Sequence, residues 1–340
     1  MSSAAAVRVG VIGTGTMGSD HVHTLDTAVS GAVVGAVFDV DADRAKAVAG
    51  TTRSALVFDD PHALIRDVTV DAVLVASSDP THEEFVLACL AAGKPVLCEK
   101  PLAPTVRGCR TIVRAEVGLG RRLVTVGFMR RYDPGYLHLR NLVASGELGA
   151  TMAIHNIHRN PVCSPNQPSA MLVTGSAIHE IDVVRWLLGE EIVWVTGFAP
   201  RRSTLVVGET QDPVFLVLTT ASGTLVDVEV FVNAQYGYDV RCELVAERGA
   251  VTLDAPVATV VRRAGSVGRT IAWDWRERFA EAYRRELQDW VDRIHDGTGA
   301  CGASAWDGYV ATAVAETVLA AVAAGTRRPV ELIERPDLYT

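Results

Sequence analysis

The sequence predicts a two-domain α/β protein, with an N-terminal doubly wound parallel sheet over residues 1–128 and a C-terminal α/β domain with an open, mostly antiparallel sheet over 129–340. Three observations predict it. A length of 340 residues exceeds what one hydrophobic core usually serves and suits two. From Val7 to about Phe128, short β-branched runs alternate with helical periods, the signature of βαβ units around a parallel sheet. After Met129 the strand-like runs lengthen and helices become sparse, the texture of a separate antiparallel layer.

In the first half, strands are expected at 7–12, 33–38, 72–76, 95–98 and 123–126. Helices are expected after Gly18, over 42–49, and from Asp79-Pro80, where an aspartate N-cap precedes proline at the first helical position. In the second half, strands are expected at 151–157, 192–198, 214–220, 224–232, 240–246 and 258–262. One helix spans 177–188 and ends at Gly189. Another, at 276–295, stops near Gly297 and places Phe279, Tyr283, Leu287, Trp290, Val291 and Ile294 on one face. An alanine-rich helix at 304–324 precedes an extended tail. With no repeat and no low-complexity linker, the hinge belongs near residue 128.

Hydrophobic residues make up 49% of the chain and charged residues 21%, the range of a folded globular protein. The net charge of −8, with no Lys/Arg block, argues against nucleic-acid and anionic-membrane partners. Cysteines 89, 98, 109, 163, 242 and 301 form no CxxC and no zinc-like Cys/His spacing, so they read as reduced core thiols and no metal is expected. Residues 1–6 are too short and polar for a signal peptide, and the apolar runs read as strand-sized, so the expected location is cytoplasmic.

Gly13-Thr14-Gly15-Thr16-Met17-Gly18 is a GxGxxG that follows a predicted strand and opens a predicted helix. In that context Gly13 permits the tight turn, Gly15 lets backbone N–H groups approach a pyrophosphate, and Gly18 lets the helix lie close on the strand. This is the dinucleotide fingerprint of a Rossmann domain. Asp39 ends the second strand about 20 residues on, where a carboxylate can take both ribose hydroxyls and repel a 2′-phosphate. That favours NAD over NADP. Glu99-Lys100-Pro101 follows a buried strand at the carboxyl edge of the sheet, where open α/β sheets bind ligands and where a lysine can reach a reacting hydroxyl.

These strings, together with HEIDVVRWLLG at 179–189, NAQYGYD at 233–239, DW at 274–275, AWDGY at 305–309 and the closing RPDLY, resemble the inositol 2-dehydrogenase family of the glucose-fructose oxidoreductase, inositol dehydrogenase and MocA superfamily. They lie in the family's order over nearly the whole chain. The resemblance implies an NAD-dependent oxidoreductase that transfers hydride between a ring secondary alcohol of a cyclic polyol and NAD, and often a homotetramer formed across exposed sheet faces. It implies a catalytic pair, Lys100 and His179. It implies polyol contacts at Met129, Arg130, His158, Asn160, Ser176, Asp182, Tyr236 and Tyr238. Cofactor contacts are implied at Thr16, Met17, Ser77, Thr81, His82, Glu99 and Lys100, beside Gly13, Gly15, Gly18 and Asp39. Helical spacing agrees, since His179, Asp182 and Trp186 share one face while Ile178, Ile181 and Val184 supply the apolar one.

One departure stands out. One turn before His179 the family carries an aspartate that completes a Lys–Asp–His set, and this chain has Gly175. The missing carboxylate would have oriented the imidazole and stabilised its charged form. Glycine also makes room for a larger substituent. Two alternatives therefore stand beside the polyol dehydrogenase: an amino- or keto-cyclitol or sugar dehydrogenase of an antibiotic pathway, and an NAD-binding sensor or assembly subunit that lost turnover. The histidines at 21, 23, 62, 138 and 295 read as structural.

Overall fold

A computed structural model describes residues 5–253, 260–300 and 302–340. The chain forms two compact units that chain order does not separate. The first takes Met1–Met129, Glu281–Thr312 and Ile333–Thr340, and the second takes Arg130–Ala280 and Ala313–Leu332. The contiguous second domain expected over 129–340 is thus interrupted twice. Part of the reason lies in the apolar face read at 276–295: Leu287, Trp290 and Val291 belong to the same buried cluster as Val9, Val11, Leu25, Val37 and Leu74. Amphipathicity shows that a face needs cover and says nothing about which sheet supplies it.

In the first unit β1 (Val7–Ile12), α1 (Thr16–Thr27), β2 (Ala32–Phe38), α2 (Ala42–Ala49), β3 (Leu56–Val57), α3 (Pro61–Arg66), β4 (Ala72–Val75), α4 (His82–Ala91), β5 (Val96–Glu99), α5 (Val106–Leu119) and β6 (Val124–Gly127) follow in turn. Their sheet order is β3-β2-β1-β4-β5-β6, all parallel, with the short strand Ala303–Ser304 antiparallel beside β6. The order reverses beside β1, which puts a ligand crevice at the carboxyl ends of the strands. β4 and β5 are buried at every position, as strands covered on both faces must be. The expected Asp79 cap is not formed: Asp79–Thr81 is a 3₁₀ turn without a side-chain cap, and α4 begins at His82. The first helix opens at Thr16, ahead of Gly18. α3 and α5 were absent from the sequence reading. Asp60 and Thr105 cap them by accepting backbone N–H groups; α3 is too short to show an apolar stripe, whereas α5 is amphipathic and buries Cys109, Ile112 and Val113 on one face.

The second unit holds α6 (Pro134–Ser145), β7 (Thr151–Arg159), α7 (Ile178–Leu188), β8 (Ile192–Phe198), β9 (Val214–Thr220), β10 (Leu225–Phe231), β11 (Asp239–Ala246) and β12 (Gly249–Leu253). The sheet order is β12-β11-β7-β10-β9-β8, closed at the β8 edge by Arg328–Pro329. Every pair is antiparallel except β7 with β10. One face buries Ile154, Asn156 and His158 of β7 with Val226, Val228 and Val230 of β10, whereas Leu225 on the other face is half exposed. The strand expected at 258–262 is half of a hairpin, Val260–Arg263 with Ser266–Arg269; residues 258 and 259 lie outside the described residues.

α8 (Trp275–His295) kinks at Phe279, and α9 (Ala305–Ala324) follows. α9 corrects the expectation of strand-sized apolar runs. By length and a mean hydropathy of 1.3 it could cross a membrane, yet 56% of that window is buried inside the protein, where Val310, Val314 and Val318 are fully covered. Cys89, Cys98, Cys109 and Cys242 are buried free thiols, Cys163 is only partly buried, and Cys301 lies outside the described residues.

Candidate active site

The glycine turn has the shape its sequence requires. Gly13 adopts φ +91°, and a Cβ there would stand 2.5 Å from the backbone N of Ser77; a Cβ on Gly18 would stand 1.8 Å from the Gly13 carbonyl. A Cβ on Gly15 would meet nothing within 4 Å. The N-terminus of α1 has no side-chain cap, so its first N–H groups face an open space that fits a pyrophosphate. Beside it lies a cleft of about 300 Å³ lined by Gly13, Gly15, Asp39, Ser77 and Thr81, together with Phe38, Val40, Arg44, Ala76, Ser78 and Phe85.

Asp39 carries five hydrogen bonds. Oδ2 accepts from Thr14 N at 2.7 Å, Thr14 Oγ1 at 3.0 Å and Arg44 Nε at 3.1 Å; Oδ1 accepts from Asp41 N at 2.9 Å and Arg44 Nη2 at 2.6 Å. Burial alone would raise its pKa, but Arg44 and these N–H groups hold the carboxyl far below the usual range. The sequence reading missed Arg44, whose charge compensates the aspartate. His82 does not line this cleft. It is buried, with Nδ1 2.7 Å from the Pro101 carbonyl and Nε2 3.1 Å from that of Ser77, so it braces the loops after β4 and β5. Thr16, Met17 and Gly18 head α1 and also lie off the cleft wall.

Glu99 is the last residue of β5 and Lys100 the first beyond it. Glu99 is buried, one oxygen 2.8 Å from His21 Nε2 and the other accepting the Lys100 N–H at 3.2 Å. Burial pushes its pKa up, and His21 then pulls it below the ordinary carboxylate value. Met129 is buried at the end of this unit.

In the second unit, Leu172–Ala177 winds as a π-helix and runs into α7, which is buried at every position from Ile178 to Arg185. A helix covered on all sides loses the simple face read from its spacing. Ser176 lies in the π segment, 7% exposed, and His179 in the first turn of α7 is also 7% exposed. Glu180 and Asp182 follow His179, and two adjacent arginines hold them. Arg130 Nη1 donates to Glu180 in a fully buried pair, with Arg130 Nη2 3.1 Å from His158 Nδ1. Burial would raise the Glu180 carboxyl, yet Arg130 and His158 bring it down to about 2. Arg131 grips Asp182 with two bonds, Nε to Oδ2 at 2.9 Å and Nη2 to Oδ1 at 2.5 Å.

Arg130 is 1% exposed and its guanidinium is engaged with protein groups, and the Asp182 carboxylate expected on a substrate hydroxyl is gripped by Arg131. His158, buried on β7, sits 6.3 Å from His179 between ring centres, and Tyr238 lies edge-on to His158 at 5.9 Å. Asn160 follows β7; its side-chain Oδ1 is buried with no hydrogen-bond partner among the described residues. Tyr236 is 42% exposed and joins the ion pairs of the second sheet, its hydroxyl donating to Asp239 at 2.5 Å and accepting from Arg159 at 2.9 Å. A Cβ on Gly175 would meet only Met171, at 3.8 and 3.9 Å, which is ordinary contact. Among the described residues no group of three His, Cys, Asp or Glu is placed to hold a metal. Arg131 and Glu180 were legible only as charges. Nothing in sequence spacing pairs residues 130 and 131 with 180 and 182.

A glycine turn at the reversal point of a parallel sheet, with an acidic residue ending the second strand, defines a dinucleotide-dependent protein. The family model described as oxidoreductase family, NAD-binding Rossmann fold matches residues 7–128, and the GFO/IDH/MocA C-terminal domain matches 136–252. The chain is 53% identical over 333 residues to inositol 2-dehydrogenase 2 of Saccharopolyspora erythraea, covering 98% of both. It is 47% identical over 335 residues to an inositol 2-dehydrogenase of Pseudomonas fluorescens, covering 98% of this chain and 99% of that one. The crystal structure of myo-inositol dehydrogenase from Lactobacillus casei in complex with NAD(H) and myo-inositol superimposes with a TM-score of 0.95 at 35% identity, covering 98% of this chain and all of that one. The chain belongs to the GFO/IDH/MocA oxidoreductase family; it is a dehydrogenase acting on a CH–OH group, and NAD is its cofactor.

Proposed function

We propose that this protein oxidises a ring secondary alcohol of a cyclic polyol, in the manner of an inositol 2-dehydrogenase. Bound NAD supplies the hydride acceptor, and the chain's own residues hold the ring and manage the proton. Lys100 donates to the reacting oxygen, and His179 in its neutral form takes the hydroxyl proton. The two arginine–carboxylate pairs fix the turn that carries His179. The observation that carries the polyol reading is the buried acceptor of Asn160 with no partner among the described residues, two residues from His158: a ring hydroxyl would satisfy it, and a substrate lacking that hydroxyl would leave it unpaired. A panel of inositols, amino-cyclitols and sugars with NAD and with NADP, followed at the nicotinamide absorbance, tests the reading. Turnover of open-chain alcohols alone would overturn it.

Glycine at 175, where a Cβ would meet only Met171 in ordinary contact, favours a second reading, a dehydrogenase of an amino- or keto-cyclitol with a bulkier substituent there. The same panel separates the two. The half-exposed apolar residues Leu225 and Phe198 on the outer face of the second sheet support a homotetramer, which sedimentation would test. Buried free thiols support a cytoplasmic location.

A further inference from the structure

The buried pair between His21 and Glu99 belongs to no step above. His21 lies on the inner face of α1, one turn past Gly18, and is wholly inaccessible; the Glu99 side chain is 7% exposed. Burying two ionisable groups costs solvation that a leucine or methionine at position 21 would avoid, so packing alone gives no reason for a histidine there. Both oxygens of Glu99 are assigned. One meets His21 Nε2 at 2.8 Å and the other takes the backbone N–H of Lys100 at 3.2 Å. Gly127 of β6 presses on the same carboxyl, since a Cβ there would stand 3.1 to 3.2 Å from all three carboxyl atoms. The group thus has a wall on one side, a histidine on the second and the lysine's own backbone on the third. The Tyr283 ring meets His21 edge-on at 5.6 Å and limits its rotation.

We infer that His21 is a positioning residue for Lys100: through the Glu99 carboxylate it ties the nucleotide-binding helix α1 to the backbone of the lysine. The inference rests on the proposed role of Lys100 and adds to it. Without the histidine, Glu99 loses the donor that keeps it ionised and in place, and both the geometry and the field at Lys100 relax.

The test compares His21→Leu, His21→Gln, Glu99→Gln and Lys100→Met with wild type. Turnover with the best ring alcohol, KM and NAD affinity by fluorescence are measured for all, and for the proteins that keep Lys100 also the rate at which an amine-reactive reagent labels it, read by peptide mass spectrometry. The label needs neither substrate nor turnover. His21→Leu is expected to lower kcat at least about tenfold, with NAD affinity within roughly threefold of wild type, and to change the Lys100 labelling rate at least about threefold. His21→Gln keeps an N–H toward Glu99 and is expected to restore most of both values. If His21→Leu does not fold, Glu99→Gln carries the test, because it keeps the shape and removes the charge; it should show the same losses. Wild-type kcat and labelling in a folded His21→Leu or in Glu99→Gln would overturn the inference, as would a His21→Gln variant no better than leucine. Full turnover in Lys100→Met would overturn the role of the lysine itself, a separate failure that the labelling rates do not share.

Discussion

At residue 39 the structure changes the argument for cofactor choice without changing the cofactor. A bare aspartate repels a 2′-phosphate, but Arg44 bonds both Asp39 oxygens and is itself half exposed at the rim of the cleft. To admit ribose hydroxyls, Arg44 must give up bonds, and its guanidinium then stands beside the position of a 2′-phosphate. Arg44→Leu is therefore expected to sharpen the preference for NAD over NADP by about tenfold in kcat/KM, and Asp39→Ala to narrow it. Initial rates with the two cofactors check both, and an Arg44→Leu enzyme with more NADP activity than wild type would remove this account. Residue 175 offers a second test. At Gly175 a Cβ fits, with only Met171 within 4 Å of it. A carboxylate beside His179 favours the charged imidazole, while oxidation needs the neutral one. Gly175→Asp should thus shift the rising limb of the oxidation pH profile upward by roughly one unit and raise kcat with unsubstituted inositols. A loss confined to bulkier cyclitols would instead show that the glycine makes room for a substituent.

At the scale of elements, α7 gains its position from charges as much as from apolar packing. The 3₁₀ turn Met129–Tyr132 supplies two neighbouring arginines, and α7 supplies two carboxylates, one and three residues after His179. Removing one partner of such a buried pair strands the other charge, whereas removing both leaves only a packing problem. Arg131→Met is expected to destabilise the fold by about 3 kcal/mol, and Arg131→Met with Asp182→Leu by distinctly less. Denaturant unfolding of the two variants decides it; strict additivity would mean that the pair contributes no coupling. His179 was legible from its motif, but its anchoring was not, because residues 130 and 131 meet 180 and 182 only through the fold.

For the whole molecule, Asp212 predicts how stability varies with pH. Its side chain is inaccessible, and burial raises its carboxyl to about 6 in spite of N–H donors from Val232 and Asn233. The folded state thus holds a proton that the unfolded chain releases near its ordinary value of 3.8. Stability from this group is fully present below that value and is lost as pH rises through about 6. Asp212→Asn removes the ionisation, so the variant should be more stable than wild type above neutral pH, by at most roughly 3 kcal/mol, and melt higher there, and should lose the advantage near pH 4. Melting temperatures across that range test the sign.

What the sequence determined by itself was whatever depends on neighbours along the chain. The glycine turn, the β-branched strands of the first sheet, the alternating strands of the second and the Gly189 stop of the helix at 178–188 are local requirements of backbone and burial, and local residues state them. The roles given to Lys100 and His179 came instead from the resemblance of whole motifs to a family, since neither residue announces its role by its local neighbours. Tertiary structure alone decided the rest. It assigned the second half of α8 to the first sheet, filled Asp182 with Arg131 and Asp39 with Arg44, turned the polar face of His21 onto Glu99, and wound the segment before His179 as a π-helix. Each of these is a pairing between distant residues. An apolar face or a buried charge announces in sequence that it needs a partner, and only the packed chain supplies which one.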